Sequence, residues 1–148
     1  MTRPKAVLDT NIYIRALLSP TGGSSKLLNL WLQKRLTLFT SKLQIAEPKE
    51  TVNVINEEGR ASISEDDFAA LLNLLENRGN LVPSTRQNKV SPDPDDDWMI
   101  GIAIKAGANL LVTENPKHVY QAIMPRNPPI KVLSIKDALK WLTSKAKV

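Results

Sequence analysis

Asp9 sits directly after the short apolar run Lys5-Ala6-Val7-Leu8 and directly before a helical pattern, in Asp9-Thr10-Asn11. An acid where a buried strand hands over to a helix is costly for folding. It is well placed for chemistry, because ligands of open α/β sheets sit outside the carboxyl ends of the strands. Other acids recur at comparable places. Glu47 lies six residues after Ser41, beyond the second apolar run. Asp93, Asp95, Asp96 and Asp97 open the helical pattern that leads into the fourth run, and Thr113-Glu114-Asn115 follows that run. Carboxylates gathered at one point repel one another unless protonation, hydrogen bonds or a cation offsets the repulsion. Hard divalent cations with oxygen ligands suit such a cluster, and Mg²⁺ needs only a few carboxylates beside waters and substrate phosphate oxygens. Two such ions about 4 Å apart would activate water and neutralise the leaving oxygen in phosphodiester cleavage.

Each acid also has a plain structural explanation. Asp93 before Pro94 has the form of an N-cap with proline at the first helical position. Asp95 and Asp96 suit the positive end of a helix dipole. Asp97 is left as the better ligand candidate of that run. Glu47 alone would be a solvated helix carboxylate, and Glu50 and Glu57 read that way. Asp9 is the hardest to explain without chemistry. A calcium-binding EF-hand loop does not fit the Asp run, since its sixth position would be Trp98 rather than glycine. The single histidine, His118, lies in Asn115-Pro116-Lys117-His118, which has the form of a helix start. A Ser-His triad could run only through it, and a His-rich zinc site is impossible.

The elements that must carry these residues follow from the hydrophobic pattern. Five apolar runs read as strands: Lys5 to Leu8, Leu36 to Thr40, Leu81 to Val82, Leu110 to Val112, and Lys131 to Leu133. The first, fourth and fifth lack polar alternation, as strands covered on both faces do. Helical patterns lie between them. Asn11 to Leu18 stops at Ser19-Pro20-Thr21-Gly22-Gly23. Ser24 is expected to cap a helix carrying Leu27, Leu28, Trp31 and Leu32 on one face. Ser41 is expected to cap another helix, which Pro48 kinks or splits, with the second part running to about Asn56. Ser64-Glu65-Asp66-Asp67 resembles a capping box, and its helix stops near Gly79. The helix opened by the Asp run ends at Gly107, and Ser134 caps the last one. Strand and helix alternate throughout, so the expected architecture is a parallel sheet with helices on both faces. The expected organisation is one domain over residues 1–144 with a short tail at 145–148.

Composition narrows the setting. The chain has 148 residues, 42% of them apolar and 24% charged, which suits one globular domain. A net charge of +5 allows attraction to a polyanion. The absence of cysteine excludes disulfides, thiolate metal sites and cysteine nucleophiles. No apolar stretch is long enough to span a bilayer, and the N-terminus enters a strand without room for a signal peptide. A cytoplasmic location is the expectation.

Val7-Leu8-Asp9-Thr10-Asn11 resembles the opening of PIN domains. Ser41 through Ala46-Glu47 is similar to their second acidic segment. Asp93-Pro94-Asp95-Asp96-Asp97 and Ala108-Asn109-Leu110-Leu111-Val112-Thr113 are similar to their third and fourth. The pattern covers nearly the whole chain in order. It is closest to the toxin-component branch, which includes relatives of VapC toxins. The resemblance implies a three-layer Rossmann-like fold with strand order 3-2-1-4-5. It implies a Mg²⁺- or Mn²⁺-dependent endoribonuclease of a toxin-antitoxin system, in which a metal-activated water attacks RNA. A homodimer and a small antitoxin partner are implied with it. Carried over by position, Asp9, Glu47 and Asp97 are the catalytic, metal-binding acids, and Asn11 and Thr113 orient them by hydrogen bonds. Two departures stand out. Asn115 occupies the position of the usual fourth acid, where an amide oxygen can ligate a metal but brings no charge. Pro48 follows Glu47 and can re-aim its carboxylate.

The alternative reading is a degenerate PIN domain that binds RNA or a protein without cutting. A phosphorylatable receiver domain would want a pair of acids after the first strand and a phospho-accepting Asp after the third, where Pro83-Ser84 stands. A haloacid-dehalogenase-type phosphatase would want Asp at position 11, where Asn11 stands. Arg15, Lys34, Arg35, Lys42, Lys49 and Lys117 are the candidates for an RNA-binding surface.

Overall fold

A computed structural model describes residues 3–41, 48–59, 63–82, 94–123 and 129–146. Its frame is a five-stranded sheet in which every neighbouring pair is parallel, in the order β3-β2-β1-β4-β5. The strands are β1 (Lys5–Leu8), β2 (Thr37–Thr40), β3 (Asn80–Leu81), β4 (Leu110–Val112) and β5 (Lys131–Leu133). The helices among the described residues are α1 (Thr10–Leu18), α2 (Gly23–Leu32), α3 (Pro48–Glu57), α4 (Glu65–Arg78), α5 (Pro94–Ala106), α6 (Pro116–Ile123) and α7 (Ile135–Ala146). The expected α/β architecture and strand order are both present.

Strand β1 is central. It pairs Val7 with Phe39 on one side and Leu8 with Val112 on the other. Successive strand residues point to opposite faces, and both faces are covered. Ala6, Leu8, Leu38, Leu110 and Val112 pack into one core with Ile12, Leu27, Trp31, Leu75 and Ile135 from α1, α2, α4 and α7. Val7 and Leu111 pack into the other with Met99, Ile100, Ala103 and Val119 from α5 and α6. This arrangement explains the unbroken apolar runs of β1 and β4.

The helix ends show which expectations hold. Ser64 Oγ accepts the Asp67 N–H at 3.3 Å, and Gly79 N–H closes α4 on the Leu75 carbonyl. Ser134 Oγ accepts the Asp137 N–H at 3.2 Å and caps α7. That helix continues to Ala146. Pro48 begins α3, the first-position role in which proline's missing donor costs nothing. Helix α2 differs from expectation: its N-cap is Gly22, and Ser24 lies inside its first turn and is buried. The reason is close packing. A Cβ on Gly23 would lie 2.9 Å from Ile135 Cγ2, so only glycine lets the start of α2 approach α7. Strand β3 falls one residue earlier than expected, although Val82 N–H still reaches the Thr40 carbonyl at 2.8 Å. Its identity comes from pairing with β2 rather than from its own two residues.

Two helices end in the same Schellman geometry, in which paired carbonyls are satisfied by residues just beyond the helix. In α5, Gly107 N–H bonds the Ile104 carbonyl and Ala108 N–H bonds that of Ala103. In α2, Lys34 N–H bonds the Trp31 carbonyl and Arg35 N–H bonds that of Leu30. The left-handed position is glycine in the first case (φ 63°) and lysine in the second (φ 63°). A side chain there costs about 1 kcal/mol. Lys34→Gly is therefore expected to raise, and Gly107→Ala to lower, the unfolding free energy by about 1 kcal/mol each in urea denaturation.

Candidate active site

Topology brings the carboxyl ends of all five parallel strands to one edge of the sheet, and Asp9 stands at the middle of that edge. Its main-chain N–H continues the ladder by bonding the Val112 carbonyl at 2.9 Å, and Thr113 N–H bonds the Leu133 carbonyl at 3.0 Å. Asp9 is also the N-cap of α1. Its Oδ1 accepts the Asn11 N–H at 3.3 Å. Its Oδ2 accepts the Thr113 hydroxyl at 3.0 Å. The Thr113 hydroxyl, which is buried, in turn accepts the Asn115 N–H at 3.2 Å. A carboxylate has about four lone-pair positions. Two are engaged by described residues, and the group is half-buried. Such an oriented, oxygen-only donor is the kind that Mg²⁺ and Mn²⁺ accept.

The residues singled out from sequence are placed as follows. Asp9, Asn11, Thr113 and Asn115 form one hydrogen-bonded chain, to which Asn11 and Asn115 contribute main-chain N–H groups. Asn115 is exposed and precedes Pro116 at the start of α6, where its carbonyl accepts the Val119 N–H at 3.3 Å. Asp97 is in the first turn of α5. That helix ends just before β4 begins, so its 13 residues run back along the sheet at about 1.5 Å each and bring the first turn to the same carboxyl edge. The side chain of Asp97 lies outside the described residues, as does Glu47 entirely. Among the described residues, no group of three or more His, Cys, Asp or Glu is close enough to hold a metal.

Glu114 takes a different direction. Its Oε2 lies 3.5 Å from Arg15 Nη1 in an exposed ion pair. Pairs of this kind contribute little to stability. This one directs the carboxylate to the flank of α1. A cleft of about 560 Å³ opens there between α1, α2 and α7, with Arg15, Glu114 and Lys136 among its lining residues. Lys117 is exposed in the first turn of α6, also at the carboxyl edge. Lys34 and Arg35 do not join this surface. They connect the end of α2 to the start of β2 and lie at the opposite, amino edge. Lys42 and the side chain of Lys49 lie outside the described residues.

One polar group near Asp9 was not picked out from sequence. Tyr13 is one helical turn beyond Asp9, hence on the same side of α1. Its ring belongs to the core, and its hydroxyl is buried there with it. Burial pushes its ionisation well above the usual tyrosine range. A side-chain hydrogen bond with Thr40 opposes that rise, and the negative charge of Asp9 adds to it. Thr40 ends β2 and is itself buried. The available sequence signal was a phenol at four-residue spacing from the acid, between the aliphatic Ile12 and Ile14.

The family profile of the PIN domain matches residues 5–117, which is more than half of the chain. This chain belongs to the PIN domain family. The match contains Asp9, Glu47, Asp97, Thr113 and Asn115. The fold is similar to a solved structure described as the crystal structure of VapBC2 from Rickettsia felis bound to a DNA fragment from their promoter. That likeness has a TM-score of 0.57 at 21% sequence identity, over 88% of this chain and 98% of the other. No functionally curated protein matches the chain significantly.

Two outcomes are expected from this geometry. Thr113→Val removes the donor to Asp9 and the acceptor for Asn115 N–H without changing side-chain size much. It should lower stability by about 1–2 kcal/mol in urea denaturation, because Asp9 is only half-buried and water partly replaces the lost bond. The second concerns alkaline pH. The unfolded chain releases the Tyr13 proton near pH 10, whereas the folded protein holds it more tightly. The folded state then binds more protons than the unfolded one, so stability falls as pH rises above about 10. Denaturation of wild type and Tyr13→Phe from about pH 9 to 11 should show a shallower decline in the variant.

Proposed function

We propose that this PIN domain is a divalent-metal-dependent endoribonuclease and the toxin component of a toxin-antitoxin pair. The observation that carries this reading is the Asp9 carboxylate, oriented by Thr113 and Asn11 at the carboxyl edge of a PIN sheet. Asp9, Glu47 and Asp97 would hold Mg²⁺ or Mn²⁺, with Asn115 as a neutral contributor at the fourth position. A cation bound there supplies charge neutralisation at the scissile phosphate and makes a water more acidic. The chain's own residues do the rest. Thr113 fixes the rotation of the Asp9 carboxylate, so that its remaining lone pairs face one direction. Arg15, Lys117 and Lys136 offer positive charge along the same edge for the RNA backbone, in keeping with the net charge of +5.

The likeness to VapBC2 supports an antitoxin protein as partner, and a homodimer is part of the same proposal. No helix among the described residues is long and apolar enough to cross a membrane. Cytoplasmic RNA is the substrate that this reading assigns.

The second reading is a PIN domain that binds RNA or a protein without cutting. Two observations favour it: position 115 is neutral, and the adjacent Glu114 is directed to Arg15. Cleavage of labelled RNA by the purified protein with Mn²⁺ separates the two. Wild type should cut, and Asp9→Asn should lose activity by about 100-fold or more, a barrier increase of roughly 3 kcal/mol. Equal cleavage by both proteins would mark a contaminant and defeat the enzyme reading. Asn115→Asp is expected to tighten Mn²⁺ binding in titration calorimetry. Unchanged binding would mean that this side chain takes no part in holding the cation.

A further inference from the structure

The cleft between α1, α2 and α7 adjoins the Asp9 corner, because Glu114 lines it and directly follows Thr113. Two helix starts open on this cleft: Gly22, Gly23 and Ser24 from α2, and Ser134, Ile135 and Lys136 from α7. Glycine permits their approach, since a Cβ on Gly23 would meet Ile135 Cγ2 at 2.9 Å. The first N–H groups of a helix have no partner within it and carry partial positive charge. Ser134 caps α7, whereas no side chain caps α2. The two serines of that first turn also differ. Ser25 donates its hydroxyl to the Ser19 carbonyl at 2.7 Å. Ser24 lines the cleft and is only 5% exposed, yet its hydroxyl has no hydrogen-bond partner among the described residues. Arg15 and Lys136, both exposed, add two full positive charges. Glu114 is the one carboxylate among the lining residues, and its exposed pair with Arg15 is a weak one. The volume of about 560 Å³ exceeds the needs of a bare phosphate, and Leu18 and Leu139 leave part of the wall apolar. That suits the sugar which a phosphate carries within a strand.

We propose that this cleft is a phosphate-binding subsite, which holds a phosphate of an RNA strand other than the scissile one. The uncapped start of α2 and the Ser24 hydroxyl donate to the phosphate oxygens, the arrangement by which helix starts bind anions. Arg15 and Lys136 neutralise its charge, and Arg15 exchanges the Glu114 carboxylate for the phosphate. Glu114 is therefore the resident competitor of the site. The identity of the strand rests on the ribonuclease reading given above. The phosphate chemistry needs neither a metal nor cleavage.

The test uses the full chain without divalent metal and two probes. Inorganic phosphate is titrated while the amide resonances of Gly23 and Ser24 are followed, and a short labelled single-stranded RNA is titrated by fluorescence anisotropy. Phosphate should shift both resonances. Ser24→Ala and Lys136→Gln should each weaken both ligands by about 3- to 10-fold. Glu114→Gln should tighten both by about 2- to 5-fold. Lys140→Gln removes an exposed charge of α7 outside the cleft lining and should stay within about twofold of wild type. Lys136→Gln alters an exposed side chain and keeps the test decisive if Ser24→Ala lowers the Tm. Unmoved Gly23 and Ser24 resonances would overturn the inference. Equal weakening by Lys136→Gln and Lys140→Gln would overturn it too, since general attraction to a polyanion would then suffice. Loss of phosphate affinity with RNA affinity unchanged would overturn the assignment to RNA in favour of free phosphate. The expected pattern without RNA cleavage in Mn²⁺ would defeat the nuclease reading alone and support the subsite.

Discussion

The 3.0 Å contact between the Thr113 hydroxyl and the Asp9 carboxylate joins residues 104 positions apart, and much of the site depends on it. It exists because β1 and β4 are neighbours in register, Leu8 beside Val112, so that the next residue of each strand emerges at the same height. The carboxylate caps α1 with one oxygen and takes the threonine with the other. The threonine also holds the turn into α6 through the Asn115 N–H. One short polar chain therefore sets where α1 starts, where α6 starts and which way the acid faces. The cost of placing charge at the end of a buried strand is met by bonds that also build the local structure.

What could be foreseen from sequence divides along physical lines. Strands β1, β4 and β5 were legible residue by residue, because covering both faces demands an unbroken apolar run. The sheet order was legible only through the resemblance of the acidic segments to PIN domains, since strand neighbours are set by long-range packing. Strand β3 was displaced by a residue because a two-residue edge strand has almost no pattern of its own. The start of α2 was misplaced because Ser24 has the chemistry of a cap, whereas the fit of Gly23 against Ile135 decides where the helix begins. At the site, Asp9 and Thr113 announced themselves as polar residues ending apolar strands. Tyr13 did not, because at helical spacing a buried aromatic ring looks like any other core residue. Only its buried hydroxyl distinguishes it. The placement of Lys34 and Arg35 at the far edge shows a related limit: closeness in sequence to site-bearing segments says nothing about which edge a connection occupies.

Stability and function are divided unevenly over this fold. The two cores flanking the sheet are apolar and closely packed, and they hold β1 rigid at its centre. Departures from ideal local structure are few and identifiable. Lys34 in a left-handed backbone position lies far from the site and reads as a tolerated defect. The buried phenol of Tyr13 lies one turn along the helix that Asp9 caps.

Asn115 carries a consequence of a different kind. Its main chain accepts the first turn of α6 and donates to Thr113, and neither bond involves the amide side chain. Asparagine and aspartate also serve about equally well just before a helix. The backbone of this corner is therefore indifferent to whether the residue is neutral or charged. Exchange between amide and acid at this position breaks neither of these bonds, so charge at this corner can change independently of the architecture. Such a position can change its charge and leave the scaffold untouched.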